Sequence, residues 1–328
     1  MRIWQHNLLG VLAMLLAGAP MAGAQTPITP VAEDAGPRTP FLGGFLKETR
    51  VVYPLRIGKW EAQGEHRYEQ QELGASVRYM HAEQQDRWMD LYFYPAGVLP
   101  ESRFARDVDS TLEEIRLSMG SGGRYSEVDI AASVPITFQA GTGKHKRKIA
   151  ARSASMRLVR EGTVYHSAMV MLVLDMYYVK GRFSAEEKTL SRRDTQKQLE
   201  KFMAAVVRKS DVRSTGDCWM PPPIVQKAVL VADAPGELAN IGREGALSVV
   251  AYTDRIEALD PQSPEARAMQ FLSMPMSGRL FEGCVPAESI NPEVPAGMRE
   301  MRLEFMLPSD EGGNPSVVPL KQGSTGVS

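Results

Sequence analysis

The segment Trp88–Tyr94 reads WMDLYFY, and its side chains alternate: Met89, Leu91 and Phe93 on one side, Trp88, Asp90, Tyr92 and Tyr94 on the other. A period of two is the pattern of a β-strand with one dry face and one amphipathic face. Three large rings on one strand face either lie beneath a helix as core or form a half-exposed ridge suited to a protein or sugar partner. The burial tendency of large rings favours core. Asp90 shares that face, so it is the first carboxylate to consider for acid–base work, against the plainer reading of a surface acid among aromatics.

Other chemistry-bearing residues are scattered. Of five histidines, four follow the leader described below: His66, His81, His145 and His166. No two stand at the i, i+4 spacing of a helical zinc site, and none flanks a cysteine or glutamate in a ligand pattern, so no metal is expected. Gly141-Thr142-Gly143-Lys144 has the flavour of a phosphate loop, but Phe138 stands where the first glycine belongs and His145 replaces the Ser or Thr. Its glycines fit a hairpin tip, which makes Lys144–Lys148 (KHKRK) a solvated basic cluster or a contact patch for an acidic group. Nucleophile-elbow, Ser-x-x-Lys and His-Glu-x-x-His motifs are absent, and no cofactor motif stands out. The candidate partner surface is therefore Trp88, Asp90, Tyr92 and Tyr94 with Lys144, Lys146, Arg147 and Lys148; no catalytic, cofactor or metal residue is assigned.

Composition narrows the class. The 328 residues carry 38 Lys+Arg against 39 Asp+Glu, a formal charge of −1, which leaves no basic excess for a phosphate backbone and argues against nucleic acid as partner. Arg2, the apolar run Leu8–Ala17 and the small-x-small Ala22-Gly23-Ala24 form a secretory signal, with cleavage expected after Ala24. Gly18, Pro20 and Gly23 interrupt the run before it reaches the ~20 residues a membrane span needs. No later segment is apolar enough to cross, so the expected product is periplasmic or secreted, without a transmembrane segment. In an oxidising compartment the only two cysteines, Cys218 and Cys284, are expected to form a structural bridge; a redox or catalytic thiol is the alternative.

These residues must be positioned by elements that the patterning also predicts. Lys59–Tyr68 and Ala75–Met80 are strand candidates, followed by the Trp88–Tyr94 strand. Phe104, Val108, Leu112, Ile115 and Met119 mark one helical stripe, with Gly120 as its cap. Val128–Phe138 and Ile149–Arg160 read as strands, and Glu161-Gly162 turns the chain into Val164–Phe183. Within that last segment Ala168–Leu174 (AMVMLVL) is apolar at both parities, the mark of a central strand covered on both faces. Leu199, Phe202, Met203 and Val206 give a second amphipathic helix over about 191–208. Beyond Trp219-Met220-Pro221-Pro222-Pro223, the segments Val225–Val231 and Leu247–Tyr252, a helix from Ser263 to about Leu272, and Met301–Met306 complete the pattern.

The fold class is α+β: an antiparallel sheet flanked by helices, with a small disulfide-stapled C-terminal region. The expected organisation is signal peptide 1–24, flexible linker 25–44, antiparallel domain 45–212, a small domain or extension 213–307, and a disordered tail 308–328. The element order over residues 45–210, with the Trp88–Tyr94 strand, resembles the PsbP/Mog1-type fold. That resemblance implies an accessory or binding module and transfers no site residues. The expected function is an exported, non-enzymatic binding protein of the bacterial cell envelope with a protein partner. Two alternatives stay open: an envelope hydrolase (peptide, glycan or ester) whose residues, among them His66, His166 or Asp90, meet only in three dimensions, and an inhibitor or immunity protein against an exported toxin.

Overall fold

A computed structural model describes residues 41–119, 124–141, 146–243 and 245–307. The segments read as signal peptide and as linker up to Pro40, together with Gly120, the tip residues 142–145 (Lys144 and His145 among them) and the tail 308–328, lie outside the described residues. Chain order runs β1 (Glu48–Pro54), β2 (Arg56–Ile57), β3 (Trp60–Arg67), β4 (Ala75–His81), β5 (Gln84–Pro95) and α1 (Glu101–Leu117). Then come β6 (Glu127–Ile130), β7 (Val134–Ala140), β8 (Arg147–Arg160), β9 (Thr163–Leu174), β10 (Tyr177–Glu186) and α2 (Arg192–Lys209). The C-terminal part adds β11 (Asp211–Thr215), β12 (Ile224–Gln226), β13 (Glu237–Arg243), β14 (Ala246–Tyr252), β15 (Ile256–Ala258), α3 (Pro264–Ser277) and β16 (Met298–Glu304).

The principal sheet has nine strands in the order β2-β3-β4-β5-β10-β9-β8-β6, with β7 pairing β8 beside β6. All of its pairings are antiparallel. The chain is α+β, as its patterning predicts. β9 lies inside the sheet with both faces covered. Ala168, Val170, Leu172 and Leu174 join the core beneath α2, while Met169 and Met171 join a second core beneath α1. Ser191 caps α2 by accepting from the Asp194 amide, and Leu199, Phe202, Met203, Val206 and Val207 of that helix are buried.

Four expectations are corrected in detail. The segment Val164–Phe183 is two strands, because Asp175 and Met176 adopt positive φ (52° and 66°) and close a two-residue hairpin. Such turns are usually flagged by Asn-Gly or Asp-Gly, and here only the aspartate is present. Val128–Phe138 is likewise two strands, broken at Ala131–Ser133 before Pro135, and both halves pair the same edge of the long β8. Val225–Val231 shrinks to the three residues of β12, leaving Val229 and Val231 exposed. The third helix continues past Leu272 to Ser277, through Pro275.

A second sheet, β11-β1-β16, was not anticipated around β1. Its inner residues Val51, Tyr53, Val212, Met301 and Leu303 close the α2-side core. Arg50 is fully buried within it; its Nε donates to Glu300 at 2.6 Å and its Nη2 to the Pro292 carbonyl at 2.8 Å. Because β16 pairs along the whole of β1, the last strand of the described residues is part of the same packing as their first. Leu42 and Leu46, at the start of the described residues, are buried in that core as well. Cys218 and Cys284 are disulfide-bonded with Cα atoms 6.4 Å apart. A third, four-stranded sheet β12-β15-β14-β13 packs under α3. Among the described residues no helix is long and apolar enough to cross a membrane.

Candidate functional site

α1 covers only part of its face of the principal sheet. Phe104, Val108, Leu112 and Ile115 pack over Ala154, Met156 and Leu158 of β8, Met169 and Met171 of β9, and Tyr178 of β10. The same face continues onto β5 and β4, where the side chains are charged and aromatic instead. Register places Arg78, Asp90 and Arg182 in one cross-strand row, since Arg78 pairs Asp90 and Asp90 pairs Arg182. The next row holds Ser76, Tyr92 and Lys180, and Tyr94 stands opposite Tyr178 beyond it.

The contacts along these rows fix the side chains. Asp90 accepts from Arg78 Nε at 2.7 Å and Nη2 at 3.1 Å, a two-pronged pair that holds the guanidinium plane. The same guanidinium stacks over Trp88, 5.2 Å from the ring centre. Trp88 remains 42% exposed, so it is ridge and not core. Tyr92 and Tyr94 are half-buried, with Lys180 Nζ over both rings at 4.9 and 5.3 Å. Tyr94 packs at the edge of the α1 core, and Tyr178 donates to Asp107 of that helix. The three rings thus split, against the favoured reading of core for all of them: Tyr94 leans into core, while Trp88 and Tyr92 border solvent.

Two cations, Lys180 and Arg182, sit on this face with the Arg78–Asp90 pair, and Glu114 and Asp107 of α1 face them from above. Burial, reinforced by the neighbouring Arg182 charge and opposed by Glu114, pushes the Lys180 amine down to about 8. Burial raises the Tyr92 and Tyr94 phenols, so both stay protonated and neutral at physiological pH. Arg182 Nε is buried and meets no acceptor.

The basic cluster lies elsewhere and is reshaped. β8 begins at Arg147, so Arg147 and Lys148 belong to a strand and not to a loop tip. Arg147 is not free for a partner: its Nη2 lies 2.5 and 2.6 Å from the Asp175 carboxylate, and Nη1 reaches Glu282 at 2.7 Å. Lys146 and Lys148 are exposed. Arg147 and Lys148 line a cleft of ≈ 380 Å³ with Val98, Phe104, Asp175 and Phe281. Burial raises the Asp175 carboxyl against the lowering pull of Arg147.

The candidates for a three-dimensional hydrolytic site do not meet. Asp90 is on the α1 side, paired with Arg78. His66 is exposed on β3, edge-on to Tyr68. His166 is on strand β9 with the residues that face α2, its Nδ1 2.8 Å from the Leu190 carbonyl and its Nε2 3.3 Å from Glu187. Among the described residues, no group of three or more His, Cys, Asp or Glu is placed to hold a metal ion.

Sequence reading missed Arg78, Lys180 and Arg182. The signal was present as alternation in Tyr177–Glu186, but assigning it to the Asp90 face needs the unmarked Asp175–Met176 hairpin that sets the register. No protein-family model matches the chain, and no curated protein matches it.

Proposed function

We propose that the chain is an exported, non-enzymatic binding protein of the bacterial cell envelope that contacts a protein partner through the open half of its α1-side sheet face. The observation that carries this reading is Trp88, 42% exposed, with Arg78 stacked on it and clamped by Asp90. Trp, Tyr and Arg are the side chains that dominate protein interfaces, and a guanidinium held in place loses little entropy on binding. The PsbP/Mog1-type element order supports an accessory role, and the leader with its small-x-small site supports export with cleavage after Ala24.

The test is site-specific photo-crosslinking in the producing cells. A photoreactive residue at Met80, which stands opposite Trp88 in the sheet, is expected to give one discrete protein adduct. The same residue at the exposed Lys197 of α2 is expected to give none. Trp88→Ala should abolish the Met80 adduct. Absence of an adduct at Met80, or an adduct indifferent to Trp88, overturns the proposal.

A further inference from the structure

α3 is apolar on both of its sides. Toward the third sheet, Ala266 and Met269 pack on Val249, Ala251, Ile256 and Ala258, and Ser273 of the same side is fully buried. The opposite side carries Ala268, Phe271, Leu272, Pro275 and Met276, spaced i, i+3, i+4, i+7 and i+8, and all five are exposed. Phe271 is 69% and Leu272 62% open to solvent. That spacing is the pattern of a helix side packed on a neighbour, and a helix apolar all round is normally buried all round. Ser263 caps its start and the left-handed Gly278 ends it, so the stripe is presented rigidly and loses little freedom when covered.

We propose that this stripe is a dimerisation surface, covered by the same stripe of a second copy in an antiparallel helix pair centred on Leu272. A two-fold axis there sets Ala268 of one copy opposite Met276 of the second copy, so the smallest side chain of the stripe meets one of its longest. Phe271 and Leu272 fill the centre. None of these residues belongs to the partner surface proposed above, and the two readings stand or fall separately.

Charge points to the same occupant and the same direction. Glu265 lies in the first turn of α3 and Arg279 just past its last, so antiparallel pairing brings each Glu265 toward the Arg279 of the second copy. Parallel pairing sets like against like and aligns the two helix dipoles unfavourably. Arg279 donates to the Asp254 carbonyl and the Met220 sulfur, and meets no carboxylate among the described residues. A lipid surface is the poorer match: Arg267 is the one basic residue of the helix, where interfacial helices are rich in lysine and arginine. The exposed parts of the five side chains come to roughly 400 Å² a copy, about half of one side of a standard interface, which places the dimer in the weak, reversible class.

Sedimentation equilibrium of the mature chain, residues 25–328, is expected to show monomer at about 1 µM and mostly dimer at about 1 mM. Phe271→Asp is expected to weaken association at least about 100-fold, because the two-fold axis removes the ring twice and puts two acids in its place. Its urea midpoint should match wild type, since the ring is exposed in the monomer. Glu265→Arg and Arg279→Glu should each weaken the dimer about fivefold, and the double variant should regain wild-type association. A chain still monomeric at about 1 mM, or a dimer indifferent to Phe271→Asp, overturns the proposal. A double charge variant no better than either single one overturns the antiparallel pairing. Phe271-dependent binding of a monomer to phosphatidylglycerol–phosphatidylethanolamine vesicles assigns the stripe to a membrane surface and overturns the dimer.

Discussion

Replacing Glu300 by glutamine leaves the Arg50 guanidinium buried without its closest negative partner. Arg50 is 1% exposed; Glu300 is 2.6 Å from its Nε, and the more exposed Asp211 is 3.7 Å from its Nη1. Breaking a buried pair by removing one partner costs about 3–5 kcal/mol, because the surviving charge stays desolvated. Asp211 and the Pro292 carbonyl retain part of the compensation, so the cost for Glu300→Gln should fall near the bottom of that range, about 3 kcal/mol. The reasoning makes a sharper claim through the double variant. Arg50→Met with Glu300→Leu removes both charges and should be more stable than Glu300→Leu alone, since no orphaned charge remains. Urea unfolding midpoints of the four proteins measure this directly. Acid supplies a second check: Arg302 and Arg50 hold the Glu300 carboxyl below its ordinary value, against the upward effect of its burial. Its contribution is therefore complete above about pH 4.5 and disappears as pH falls through the lowered value, so wild type and Glu300→Gln should converge in strong acid. A single-variant loss under about 1 kcal/mol, or a double variant no better than Glu300→Leu, refutes the buried-charge account.

Three further outcomes follow from the packing. Lys180 titrates near 8 when folded against 10.5 ordinarily, so between those values the unfolded chain binds more protons and stability should rise, by about 2 kcal/mol from pH 7 to pH 10. Urea titrations at each pH should show that rise in wild type and a flatter profile in Lys180→Met. Replacing Cys218 and Cys284 by serine should lower stability by about 4 kcal/mol in the chain-entropy picture of a loop this long, read as a drop in urea midpoint that reduction of wild type reproduces. Gly283→Ala should destabilise more than Gly297→Ala in thermal melts. Both have positive φ, but an added Cβ at Gly283 meets Asp175 Cβ at 2.4 Å while nothing lies near Gly297.

The legible parts of this fold were those whose periodicity matched their burial. The alternation in Trp88–Tyr94 and the two-sided apolar run Ala168–Leu174 each report directly which faces are covered, and both assignments hold in the sheet. β1 was opaque for the opposite reason. Six of its seven residues are buried, yet they include Thr49 and Arg50, whose partners Ser214 and Glu300 come from 165 and 250 residues away. No local pattern announces a buried arginine that is paid for at such distance. The candidate site was half legible: Trp88, Asp90, Tyr92 and Tyr94 share a strand, whereas Arg78, Lys180 and Arg182 reach them only through cross-strand register.

The proposed contact face draws its support from the distribution of cover over the principal sheet. A helix is about 10 Å wide and strands are about 4.8 Å apart, so one helix hides roughly two or three strands. With nine strands and, among the described residues, one helix on each side, both faces need something more. On the α2 side the β11-β1-β16 sheet supplies it, and Val77, Tyr79, Met89 and Leu91 are accordingly apolar and buried. On the α1 side the helix stops short of the β4–β5 half, where Tyr68 reaches Ser76 and the face carries Arg78, Trp88, Asp90 and Tyr92. Solubility alone would account for charged groups there, and the Arg78–Asp90 pair would satisfy it. It does not account for a tryptophan left 42% exposed beside that pair.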